Sequence, residues 1–199
     1  MIVLLAGLAG VMAGGLHVLA GADHLAAVAP LAATGRRRAW RAGLRWGIGH
    51  AGGVAIVATL AFVVREAISL ESLSSWSERV VGVTLIAIGV WAVTSAYTHP
   101  HPHRHGRQRA AIFVGLVHGT AGGSHILGVV TALALPSRAV SLGYLAGFGV
   151  GTVLAMTLFA SLAGAASARF ALAGPRAWAG FLRGCGATSV AIGVFWLLH

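Results

Sequence analysis

Apolar residues run through this chain in six long blocks, at roughly 2–33, 42–64, 80–98, 110–135, 139–167 and 178–198. Short stretches holding most of the charge separate them. Each block reaches the ~20 residues that a helix needs to cross hydrocarbon. The pattern therefore predicts an all-α integral membrane protein with six transmembrane helices. The first block is too long for one upright helix. It would extend about 48 Å at the helical rise, against a hydrocarbon core of about 30 Å. It also contains Gly14, Gly15, Gly21 and Pro30. Tilt would account for the length, but a broken or partly unwound helix is the sharper expectation. Such breaks are tolerated at membrane depth where they are buried in protein or line a cavity. The N-terminal MIVLLAGLAGVMAGGLHVLAG has no positive n-region and stays apolar too long for a signal peptide, so it is expected to be a retained first span.

Composition agrees with a membrane protein. The chain is 57% hydrophobic and 9% charged, with a mean hydropathy of +0.85, whereas soluble domains carry about 25% charged residues. Glycine, at 29 of 199 residues, is about twice its usual share, as expected where helices in lipid approach through small residues. The net charge of +10 comes entirely from arginine. These arginines cluster between apolar blocks, which fits membrane orientation better than nucleic-acid binding. Arg36, Arg37, Arg38, Arg41, Arg45, Arg104, Arg107, Arg109, Arg169, Arg176 and Arg183 would share one side; Arg65, Arg79 and Arg138 the other. By the positive-inside rule, both termini are expected outside a bacterial inner membrane. The single Cys185 excludes an internal disulfide and a multi-cysteine metal site.

The chain echoes itself at an offset of about one hundred residues. His17 and His24 in GLHVLAGADHL are matched by His118 and His125 in GLVHGTAGGSHIL, and Gly47-Ile48-Gly49 by Gly147-Phe148-Gly149. This predicts two three-helix repeats, 1–98 and 110–199, joined by a His-rich cytoplasmic loop at 99–109. Three spans being odd, the repeats would be inverted, an arrangement that places substrate at the repeat interface near the midplane.

Asp23 is the only aspartate, and it lies inside an apolar block beside His24. A carboxylate at membrane depth costs several kcal/mol and is rarely left without a partner. His17 and His24 on a straight helix would stand about 10.5 Å apart in height, too far to share an ion bound at about 2 Å. Unwinding at Gly21 would let them converge with Asp23; Gly122 is the corresponding break in the second half. His50 lies near the middle of the second block within GIGHAGG, and His118 and His125 offer equivalent positions later. Any one of these histidines could be a hydrogen-bonded packing residue, but that reading leaves the carboxylate of the first cluster unexplained. Nitrogen-rich donors with one anionic oxygen suit Ni, Co, Zn or Cu(II), and argue against Mg or Ca. Neutral imidazoles and an ionised carboxylate are required, so binding should weaken as protons compete at falling pH. Asp and His could also relay protons.

His99, His101, His103 and His105 alternate with other residues in HPHPHRH. Prolines favour an extended chain there, and short His-rich tracts capture metal; the alternative is a solvated basic linker. No phosphate loop or dinucleotide fingerprint is present, so energy is expected from an ion gradient, the membrane potential or a partner.

GLHVLAGADHLAAVAPLA resembles the signature helix of the nickel/cobalt permeases, especially the six-span branch associated with urease accessory nickel transport. LRWGIGHAGG resembles that family's second motif, with its histidine at His50, and GFGVGTVLAM is similar to the same branch. The resemblance implies a multi-pass carrier with His17, Asp23, His24 and His50 in the ion path. Eight-span members place four residues, not five, between His and Asp-His, and carry acids in a later motif where this chain has GTAGGSHIL. His125 would stand in for the missing ligand.

These readings converge on a transporter, not an enzyme, for a divalent transition-metal ion by alternating access, with nickel or cobalt foremost. The metal is substrate, and no permanently bound cofactor is expected. The partners would be the bilayer, the ion and a cytoplasmic metallochaperone or accessory protein, without nucleic acid. Efflux rather than uptake, an intramembrane zinc enzyme and a bis-histidine haem protein are the alternatives.

Overall fold

The computed structural model describes the backbone of residues 1–35, 38–63, 70–98, 106–120 and 123–198. It describes their side chains except at 35, 61–63, 70–78, 98, 106–109 and 123–127. These residues form eight helices: α1 (Ile2–Ala20), α2 (Ala22–Gly35), α3 (Ala39–Val63), α4 (Leu70–Thr98), α5 (Gly106–Thr120), α6 (Gly123–Leu133), α7 (Arg138–Leu172) and α8 (Pro175–Leu198). Among the described residues every apolar block is mainly helical, and the all-α expectation stands at that level.

The six-span architecture does not. Among the described residues, four stretches are long and apolar enough to cross a membrane: Ile2–Ala20, Arg79–Tyr97, Arg138–Leu172 and Pro175–Leu198. The first block is divided at Gly21, leaving α2 with 14 residues. The described residues of the fourth form α5 and α6, of 15 and 11 residues. The second forms the 25-residue α3, but Arg41, Arg45, His50 and a run of glycines dilute its apolar character. Two inverted repeats of three spanning helices are therefore not the architecture of this chain. Block length registers apolar content, and neither the break at Gly21 nor the polar residues of α3.

Burial is inside out relative to a water-soluble protein. Leu8, Met12, Leu16 and Leu19 on α1, and Val150, Leu154, Leu158 and Leu162 on α7, are exposed at helical spacing. Asp23, His24, His50, His118, Ser141, Thr152, Ser167 and Ser189 are buried. Continuous apolar stripes of this kind are rare on monomers in water and ordinary against lipid tails. The chain is a membrane protein.

Glycine sets the helix crossings. On the α1–α7 face, a Cβ at Gly10 would strike the Tyr144 carbonyl, and one at Gly14 the Phe148 carbonyl; one at Gly147 would strike that of Gly7. On the α3–α5 face, Gly49 abuts the Ile112 carbonyl, Gly115 that of Trp46, and Gly119 that of His50. Gly82 and Gly89 of α4 meet Gly193 and Gly186 of α8 in the same way. Backbones this close gain dispersion and weak polar contacts, the terms that drive association in lipid. α3 also packs on α7, bringing the α1–α7 and α3–α5 pairs together. α2 packs chiefly on α7, α8, α3 and α4.

Hydroxyls fasten one end of the bundle. Ser167 of α7 donates to the Ala33 carbonyl of α2 at 2.6 Å and accepts from Trp178 Nε1 of α8 at 3.1 Å. The end of α2 near Arg38 thus sits with the ends of α7 and α8 that carry Arg169 and Arg176.

Candidate metal centre

The centre begins at one residue. Gly21, with φ −79° and ψ 97°, interrupts the helix although its amide still donates to the His17 carbonyl at 3.0 Å. His24 and Leu25 amides then donate to the Gly21 carbonyl, starting α2. Any L-residue can adopt that backbone conformation; space demands the glycine. A Cβ at Gly21 would run into His24 Nδ1 and lie 3.0 Å from Asp23 Oδ1. His17 ends up in the last turn of α1 and Asp23 in the first turn of α2. A helix C-terminus favours cations and an N-terminus favours anions, each by about 0.3–1 kcal/mol, so both half-helices suit a site that holds a cation against a carboxylate.

Asp23 is clasped from two sides. Its Oδ1 lies 2.9 Å from His24 Nδ1, and its Oδ2 lies 3.0 Å from His118 Nε2, which reaches across from α5. The contact between Asp23 and His118 spans 95 residues of sequence, so the carboxylate holds two helices together as well as facing the cage. The imidazoles of His17 and His24 meet edge to face at 4.5 Å between centroids, and that of His50 lies 5.0 Å from His24. Two groups of three donors result: His17, His24 and His50, and Asp23, His24 and His118. Within each, one ligand atom per residue lies within 4.8 Å of the others. Donors at about 2 Å from one ion stand roughly 3–4 Å apart, so a small inward adjustment suffices.

Trp46 forms one wall. It is fully buried on α3, one turn before His50, and its indole stacks on the His50 imidazole at 4.8 Å and 10°. It also lies 5.6 Å from His24 and 5.2 Å from His118. Phe148 of α7 lies 5.3 Å from His17. A cleft of about 630 Å³ opens beside this ring, and His17, Asp23, Thr131, Tyr144, Phe148 and Trp196 are among the residues that line it. His24, His50 and His118 lie behind them at 0–1% exposure.

The five donors expected in the first half and at His118 are thus brought into one cage, contributed by α1, α2, α3 and α5. The side chains of His125, His99, His101, His103 and His105, and Gly122, lie outside the described residues. Met12 is exposed on α1 and Met156 is buried in an apolar cluster, so neither adds sulfur here. Sequence reasoning did not single out Trp46 or Phe148 as site residues. The i, i+4 spacing of Trp46 and His50, which puts both on one helical face, was the signal available for the first; Phe148 had only its place between Gly147 and Gly149.

Among curated proteins, the chain is 35% identical over 175 residues to Chloroplast protein FOR GROWTH AND FERTILITY 2 of Arabidopsis thaliana, covering 79% of this chain and 46% of that one. It is 34% identical over 181 residues to Chloroplast protein FOR GROWTH AND FERTILITY 1 of the same plant, covering 79% and 49%. It is 29% identical over 163 residues to Urease accessory protein UreH of Bacillus sp. (strain TB-90), covering 71% and 69%. The chain spans about half the length of the two plant relatives. No family model matches it, and no solved structure does.

Proposed function

We propose that this chain transports a divalent transition-metal ion, nickel(II) or cobalt(II) foremost, through the His/Asp cage. The observation that carries the reading is Asp23, buried among apolar helices and bracketed by His24 and His118, with His17 and His50 gathered on the same His24. A membrane-buried carboxylate of this kind is a functional group by default, and its company here is imidazole, the donor suited to late first-row metals. The distant similarity to a urease accessory protein agrees with the resemblance of the motif helix to nickel/cobalt permeases.

An ion entering by the cleft would meet His17 and Asp23 first, since these donors line it. The carboxylate offsets part of the charge as water is shed. The imidazoles replace that water, and Trp46 and Phe148 keep bulk solvent out. In a bacterial cytoplasmic membrane, the arginine-rich end at Arg169 and Arg176 would face the cytoplasm.

The test is nickel and cobalt content of cells producing wild type or Asp23→Asn at equal level and trace external metal. Higher metal with wild type alone marks uptake, and lower metal marks efflux. Identical content for both ions would refute the reading.

A further inference from the structure

We propose that the cage holds two successive ion positions that share His24, so that an ion crosses it by exchanging ligands around that one imidazole. This rests on the cage being a metal path and adds how the ion moves within it. His17, His24 and His50 form one group of donors, and Asp23, His24 and His118 form another. His24 alone belongs to both. It touches members of each: Asp23 Oδ1 at 2.9 Å, and the rings of His17, His50 and His118 at 4.5, 5.0 and 4.8 Å between centroids. The His50 and His118 rings stand 6.1 Å apart, and neither trio of donors holds both of them.

The positions differ in charge. One offers three neutral nitrogens; the other offers two nitrogens and a carboxylate. Two divalent ions would repel strongly at this separation, so the pair takes one ion at a time. With His24 common to both trios, the ion exchanges two ligands as it passes. The outer histidine of each position comes from a different helix. His50 lies on α3 and stacks on Trp46; His118 lies on α5, held by Asp23. The cleft reaches one donor of each trio, His17 and Asp23, and neither of the outer histidines. A path through the cage therefore runs from the cleft side past His24, and not along one row of equal ligands.

Cobalt(II) alone is the probe, added to the purified full chain in detergent. Wild type, His50→Gln, His118→Gln and His24→Gln would be compared by equilibrium dialysis, electronic absorption and X-ray absorption. Glutamine keeps much of the volume and polarity, and monodisperse elution establishes that each variant is folded. The expected result is one cobalt per chain in wild type, His50→Gln and His118→Gln, with different spectra for the two outer variants. Three imidazoles should surround the ion in His118→Gln and two in His50→Gln. His24→Gln should bind at least tenfold more weakly than either, and neither outer variant should transport at more than a tenth of the wild-type rate.

One shared spectrum for both outer variants, with equal loss of affinity, would overturn the two-position arrangement and leave a single site. Wild-type transport by a folded outer variant would overturn it as well, because one position would then be dispensable. Absence of cobalt binding in wild type would instead remove the metal-path reading on which this rests.

Discussion

Asp23 carries the argument at the scale of single residues. It is the sole acid in a cage of imidazoles, and both of its oxygens are engaged by histidines from different helices. Replacing it by asparagine keeps the shape and removes the charge. Asp23→Asn should weaken nickel binding by at least roughly tenfold to a hundredfold, the loss that follows even when a group supporting a ligand is removed. Titration of purified protein checks this, with wild-type-like affinity as the contrary result. Trp46 belongs to the same scale. Its indole backs three of the histidines at once, so Trp46→Ala should leave a cavity costing about 3–5 kcal/mol. Trp46→Phe, which keeps a ring against His50, should recover most of that loss in thermal stability and most of the metal affinity.

At the scale of elements, the break at Gly21 is what converts a sequence spacing into a site. Seven residues of unbroken helix would hold His17 and His24 apart; the interruption brings their rings to 4.5 Å. Gly21→Val would press a side chain into His24 Nδ1 and Asp23 Oδ1. Such a chain should still insert and elute as a monodisperse species, yet lose metal binding, because the strain falls on ligands and not on the bundle. Gly119→Leu should behave in the opposite way. Its side chain would collide with the His50 backbone, driving α3 from α5, and overpacking of this kind costs about 1–3 kcal/mol or more. A lower unfolding midpoint in detergent is the expected readout. Crossings made through glycine have no soft side chain to give way.

For the whole molecule, the sequence displayed its helices more plainly than their arrangement. Hydrophobic blocks located every helix, and the glycine and block length around Gly21 located the break. The count of spans was not legible in the same way. The described residues of the 110–135 block belong to two short helices, and Arg45 and His50 interrupt the apolar character of α3. Length registers apolar content; it does not register where the axis stops. The ligands of the first cluster could be read from GLHVLAGADHL because they are local. His118 was legible as a donor from the repeat, but its direct contact with Asp23 was not, because the meeting depends on α3 lying against both α5 and α7, which backbone-to-backbone glycine contacts determine.

Flux through the purified protein shows whether the cage carries metal across a bilayer. Wild-type chain and Asp23→Asn would be reconstituted into liposomes enclosing a nickel- and cobalt-responsive dye, with a proton gradient or membrane potential imposed across the bilayer. Transport through the cage predicts a dye signal that appears with wild type, saturates with external metal, and falls to the protein-free level with Asp23→Asn. Equal signals from the two proteins would contradict it.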